Sequence, residues 1–263
     1  MNLGIKGKTA IVCGASQGLG RACAEMFAHE GVNLLLFSSN FDRIFSTARS
    51  ISENFGIDVV PVASDISLPD SPEKIVSEAV KRFGSVDILI NNPGEYPPGN
   101  SEEMYDQKWE KSLNLTFMSA IRMTRAVLPQ MISRGWGRII NLTSIPYKQP
   151  IQDFILSNSL RNAVEGMAKT LSWEVASQGI LINTVSVGNF DTKRLRSILK
   201  NHAISSGITE KEAQSELEST IPVGRIGRPE ELAWFVVFLA SEKASYISGS
   251  TFQVDGGMFN GYM

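Results

Sequence analysis

The chain has 263 residues, 43% of them hydrophobic and 20% charged, with a formal net charge of −2. That is an ordinary globular composition, long enough for one large core, and it lacks the basic footprint of a nucleic-acid or anionic-membrane binder. No apolar run reaches membrane-spanning length, and the polar start from Met1 to Thr9 is unlike a signal peptide, so a cytoplasmic protein with no membrane partner is expected.

The first apolar run, Thr9–Cys13, leads through a glycine-rich turn into a helical stretch over Gly18–His29. Further runs at Asn33–Phe37, Val59–Val62, Val86–Ile90, Arg138–Leu142, Leu181–Val185 and Thr251–Val254 alternate with helical stretches at Ile44–Asn54, Glu73–Phe83, Asp106–Met131, Phe154–Ser177 and Glu230–Leu239. Continuous Val, Ile and Leu in the short runs predicts strands covered on both faces. Their alternation with helices predicts right-handed βαβ crossovers and a Rossmann-type, doubly wound α/β sheet of about seven parallel strands. Pro229 followed by Glu230 and Glu231 marks a helix start.

No linker, repeat or low-complexity tract divides the chain, so a single domain over 1–263 is expected. The polar stretch from 189 to 222 departs from the alternation, with helical character over Lys193–Lys200 and Thr209–Leu217. Inserted past a strand's carboxyl end, it is placed to act as a lid over a ligand; a plain surface excursion is the alternative. Its basic cluster, Lys193, Arg194 and Arg196, reads as a solvated helix face. Cys13 and Cys23 read as small core hydrophobes, and His29 and His202 stand apart from each other and from any cysteine cluster, so no metal site is expected.

Chemistry enters at the turn Gly14-Ala15-Ser16-Gln17-Gly18-Leu19-Gly20, between the first strand and its helix. Glycines here permit a tight turn, close backbone approach to phosphates and close helix–strand packing. The helix N-terminus adds amide donors and a positive dipole end, so the turn is suited to a dinucleotide pyrophosphate.

The Gly-x-x-x-Gly-x-Gly spacing, with later motifs in order, resembles the short-chain dehydrogenase/reductase family over nearly the whole chain. Asp65-Ile66 looks like that family's adenine contact. Asn91-Asn92-Pro93-Gly94 stands where the family has Asn-Asn-Ala-Gly, and Asn114 matches its helix asparagine. Gly188, with Phe190 and Thr192 after it, resembles the segment that holds the nicotinamide carboxamide. The tail from Gly224 to Glu231, then Ser248-Gly249 and Val254 to Gly257, is similar to the bacterial 3-oxoacyl-(acyl carrier protein) reductase branch. The resemblance implies an NAD(P)(H) cofactor, hydride exchange with a small-molecule carbonyl, acyl thioester or secondary alcohol, and a homotetramer. Members that bind NAD(H) usually end the second strand with an acid. Here that strand runs into Ser38, Ser39 and Asn40 with no acid before Asp42, which favours NADP(H) on charge repulsion. The basic residue usual in NADP-binding members is missing unless Arg43 reaches back. Ser38 to Asn40 also reads as a plain polar turn and helix start.

In the same family a serine, a tyrosine and a lysine act together with the helix asparagine. Ser144 fits the serine. Alignment through Gly166 to Leu171 puts Ser157 at the tyrosine position and Arg161 at the lysine position, four apart and on one helix face. A serine hydroxyl is shorter and far less acidic than a phenol, and arginine keeps its charge without shuttling protons. Tyr147, with Lys148 beside it, or Tyr96 after the fourth strand is a candidate replacement for the phenol; both read equally as pocket wall. Two functions follow: an oxidoreductase with a modified proton-transfer arrangement, or a nucleotide-binding sensor or partner subunit without turnover.

Overall fold

The computed structural model describes residues 1–94, 96–144 and 150–261. Seven strands form one parallel sheet: β1 (Thr9–Cys13), β2 (Asn33–Ser38), β3 (Val59–Ala63), β4 (Ile88–Asn91), β5 (Gly137–Ser144), β6 (Ile180–Val187) and β7 (Thr251–Val254). Their spatial order is β3-β2-β1-β4-β5-β6-β7. The main helices are α1 (Gly18–His29), α2 (Phe41–Phe55), α3 (Ser71–Phe83), α4 (Asp106–Leu113), α5 (Ser119–Arg134), α6 (Ile155–Val175), α7 (Lys193–Ser206), α8 (Glu210–Ser219) and α9 (Pro229–Leu239).

Side-chain alternation along the central strands explains why they read as unbroken apolar runs. Ala10 and Val12, Leu34 and Leu36, and Ile88 and Ile90 pack into one buried cluster with α1, α2 and α9. Ile11 and Cys13, Leu35 and Phe37, and Leu89 pack into the opposite cluster with α3, α5 and α6. Both faces are covered, so nothing on these strands needs to be polar. Pro61 sits in β3, an edge strand, where one unpaired side tolerates a residue with no amide proton.

β5 and β6 run longer than the sequence reading, to Ser144 and Val187, and β4 begins at Ile88 rather than Val86. The Val86 amide instead donates to the Gln130 side chain at 3.1 Å. The chain winds from β1 outward to β3, then returns to β4 and winds the other way. A crevice therefore opens at the carboxyl ends of β1 and β4.

The stretch read as one helix over Asp106–Met131 is divided. A π turn, Asn114–Met118, separates α4 from α5. The Ser119 hydroxyl supports the break by donating to the carbonyls of Leu115 (2.6 Å) and Thr116 (3.0 Å). Such widened turns recur at functional sites.

Near the crevice, α9 starts on Pro229, as the sequence indicated, and Glu231 anchors its first turn. The Glu231 carboxylate accepts from both Arg225 Nη atoms (2.9 and 2.7 Å) and from the Arg228 amide (2.7 Å). These bonds lower its pKa from 4.5 to about 2, the Arg225 bond contributing most. The anchored loop pairs through Gly227 with Asn189 and Asp191, on either side of Phe190. A depressed carboxylate pKa gives stability that is complete above pH ~4.5 and lost as pH falls toward ~2. Glu231→Gln is therefore expected to melt below wild type at pH 7, and the gap should close over that acid window in pH-dependent thermal melts.

Candidate active site

A cavity of about 700 Å³ occupies the crevice. The β1–α1 turn (Gly14, Ser16, Gln17, Gly18, Leu19) lines one end, with Ser38, Ser39 and Asn40 beyond β2 and Asp65 and Ile66 beyond β3. Asn92, Pro93 and Gly94 line its middle. Ser144, Ser157, Arg161, Gly188, Phe190 and Thr192 are brought to the same space from β5, α6 and the segment after β6.

At the phosphate-type end, local geometry explains the glycines. Gly14 has φ +63°, and a Cβ there would meet the Asn92 carbonyl oxygen at 3.0 Å. Gly20 is not part of the cavity wall; a side chain there would run into the Gly14 carbonyl, so it lets α1 pack onto the turn. The N-terminus of α1 carries no side-chain cap, whereas Asn40 caps α2 and Thr192 caps α7. Its first amides are left for a ligand, and the unfilled backbone cradle fits a pyrophosphate.

Ser38, Ser39 and Asn40 form the polar turn and helix start read from sequence. Asn40 Oδ1 accepts from the Arg43 amide at 2.9 Å to start α2, and the Ser38 hydroxyl donates to the Asn40 carbonyl at 3.3 Å. All three still line the cavity. Arg43 does reach back: its Nη1 donates to Gln17 Oε1 at 2.8 Å, bridging the first turn of α2 and the β1–α1 turn. Asp42 is exposed and is not among the lining residues. Asp65 Oδ1 is engaged by the Ser67 amide and hydroxyl, which closes the turn after β3.

At the other end, Ser157 and Arg161 lie one turn apart on α6. Arg161 Nε–H donates to Ser157 Oγ at 3.1 Å, and its Nη1 approaches the Leu142 carbonyl at 3.5 Å. Ser157 is buried within the cavity wall. With its oxygen accepting from a cation, its own proton is available to a cavity ligand.

Asn114 lies at the start of the π turn and does not line the cavity. Its Nδ2 donates to the Glu110 carbonyl at 3.0 Å, and its Oδ1 accepts from Arg122 at 3.1 Å. Tyr147 and Lys148 lie outside the described residues. Tyr96 lines the cavity, as do several residues not singled out from sequence, among them Lys111, Leu115 and Ile198. Lys111 and Leu115 are four apart on either side of the α4–π-turn junction, a spacing that places both on one face. Lys193 and Arg194 also line the cavity; Lys193 and Arg196 are exposed, in keeping with a solvated face, and Arg194 is half-buried. Capping by Thr192 begins α7 at the cavity wall, while Arg196 forms an ion pair with Asp191.

Beneath the floor, Asn91 Nδ2 donates to Asn141 Oδ1 (2.9 Å) and Thr124 Oγ1 (3.3 Å), tying β4, β5 and α5 together. Burial pushes the Cys13 and Cys23 thiols up to about 12, so both stay protonated and neither is a nucleophile at neutral pH. Among the described residues no group of His, Cys, Asp or Glu is arranged to hold a metal, and no helix is long and apolar enough to cross a membrane.

The family model described as enoyl-(acyl carrier protein) reductase matches residues 14–259. The chain belongs to the short-chain dehydrogenase/reductase family. The 3-oxoacyl-(acyl-carrier-protein) reductase of Vibrio cholerae is 32% identical over 257 residues, covering 98% of this chain and 99% of that protein. L-sorbose reductase from Gluconobacter frateurii, solved with NADPH and L-sorbose, superposes over the full length of both chains with a TM-score of 0.96 at 36% identity. YwfH, an NADPH-dependent reductase involved in bacilysin biosynthesis, superposes with a TM-score of 0.92 at 28% identity, over 97% of this chain and 99% of its own. The parallel order of all seven strands thus serves, in this short-chain dehydrogenase/reductase, to set a glycine turn and the α6 pair Ser157–Arg161 at two ends of one cavity.

Proposed function

We propose that the protein is an NADP(H)-dependent oxidoreductase that interconverts a carbonyl and a secondary alcohol. One observation carries this: a single cavity joins an uncapped, glycine-lined helix start to a pair of cavity-facing hydroxyls, one of them bonded to a guanidinium. The β1–α1 turn holds the pyrophosphate, Ile66 and Asp65 border the adenine, and Gly188, Phe190 and Thr192 border the nicotinamide. When bound, the cofactor supplies or accepts the hydride.

Ser157 and Arg161 stand where the family's tyrosine and lysine act. Ser144 and Ser157 hold the substrate oxygen, and the Arg161 guanidinium polarises the Ser157 O–H. As the carbonyl becomes an alkoxide, that hydroxyl gives up its proton, and cavity water returns one to Ser157 Oγ. Arg161 remains charged throughout, so it stabilises developing negative charge and carries no proton itself. The segment 189–222 acts as a lid, with Leu195 and Ile198 of α7 on the cavity wall. Trp173 on α6 is 80% exposed in the single chain and is a contact surface of the homotetramer.

Substrates are drawn from the chemistry of the relatives: ketoses and 3-oxoacyl thioesters. Following cofactor absorbance with each class tests the reading, and turnover of either is expected. Tight NADPH binding without turnover of any carbonyl would support the second reading, a nucleotide-binding sensor or partner subunit, for which the identities of Ser157 and Arg161 speak.

A further inference from the structure

Tyr96 is buried (5% exposed), yet its hydroxyl has no hydrogen-bond partner among the described residues. Its ring is wedged among Met104 and the α6 residues Leu156 and Leu160, with Trp109 and Ile155 against them. Arg161 lies over the ring, its Cζ 5.6 Å from the centroid. Burial raises the phenol pKa, against the pull of the Arg161 charge and the nearby Thr116 hydroxyl, so the ring stays neutral and offers its electron-rich face to the cation.

We propose that Tyr96 is the positioning residue for Arg161, its ring face holding the guanidinium so that Nε–H points at Ser157 Oγ. The inference rests on the reading that Ser157 and Arg161 carry the proton chemistry. An arginine side chain has four rotatable bonds, and a fixed orientation must offset that lost freedom. Here a rigid ring, itself clamped by Leu156 and Leu160, four apart on the helix that carries Arg161, supplies the offset. The phenolic oxygen, set beside the Thr116 hydroxyl, bonds neither Arg161 nor Ser157 and takes no part.

Two arms test this. In turnover assays, Tyr96→Leu should lower kcat about tenfold, the size of a partly desolvated cation–π contact, with KM for the carbonyl changed less than about twofold. Tyr96→Phe, which keeps the face, should rescue kcat to within about twofold. In an Arg161→Ala background, Tyr96→Leu should cost less than about twofold further. In the second arm, which needs no substrate, the Arg161 Nε–H resonance is assigned by its loss in Arg161→Lys. It should be ring-shifted and slow to exchange in wild type and Tyr96→Phe, and should lose both properties in Tyr96→Leu. If wild type turns nothing over, the functional reading fails and the resonance alone decides the role of Tyr96. An unchanged resonance in Tyr96→Leu overturns the proposal. So does a Tyr96→Phe loss equal to that of Tyr96→Leu, or a loss that persists without Arg161.

Discussion

Replacing Ser157 with tyrosine and Arg161 with lysine together should raise kcat for carbonyl reduction by about 10²-fold. A positioned general acid contributes roughly 10²–10⁴-fold in rate, and a phenol is far more acidic than an alcohol. The lower end of that range is expected because the exchange also gives up contacts. Lysine cannot reproduce the paired approach of Arg161 to Ser157 and the Leu142 carbonyl, nor its stacking on Tyr96. The pH profile offers an independent check. Neither serine nor arginine titrates between pH ~6 and ~10, so the wild-type kcat should be flat there, whereas the double variant should gain a basic limb as its tyrosine ionises. A wild-type enzyme that already turns over rapidly and gains nothing from the exchange would show that another group, such as Tyr147, donates the proton. Gain from an inert wild type would identify the natural protein as a nucleotide binder.

The parts of this molecule that were legible in sequence are those whose cause is local. The central apolar runs became strands because their alternating side chains meet a helix layer on either face, and that need is visible residue by residue from Ala10 to Cys13. The glycine turn was legible for the same reason: Gly14 and Gly20 answer to backbone crowding within a few residues of themselves and to Asn92. Contacts that depend on where distant segments meet were not. Nothing near Asn114 announces a π turn, because the amphipathic pattern runs on through it and Ser119 stabilises the break through a hydroxyl that suits many other settings. The cation–π contact of Arg161 with Tyr96 joins residues 65 positions apart in sequence, so no spacing rule exposes it. Lys193 and Arg194 followed a polar pattern that fits solvent or a cavity wall alike. The Thr192 cap starts α7 at the cavity mouth, where Lys193 meets both.

Arg43 is the largest single lever expected on cofactor choice. It was legible only as a condition, a side chain that would matter if it turned toward the first loop, and its bond to Gln17 shows that it turns. A 2′-phosphate bound between Ser38–Asn40 and the β1–α1 turn would meet this guanidinium directly. A charge-assisted hydrogen bond is worth ~1.5–3 kcal/mol, which corresponds to roughly 10–100-fold in affinity. Arg43→Ala should therefore weaken NADPH binding by about that factor while changing NADH binding less than about twofold, as read by nicotinamide fluorescence titration. Helix α2 should survive the change, because the cap on Asn40 uses the backbone amide of residue 43 and not its side chain. Because Arg43 is exposed, the effect should shrink as salt rises: NADPH affinity of the wild type should fall more steeply with ionic strength than that of the variant. An equal loss for both coenzymes would mean that Arg43 acts by bracing Gln17, and any preference for NADP(H) would then have to come from the absent carboxylate after β2 alone.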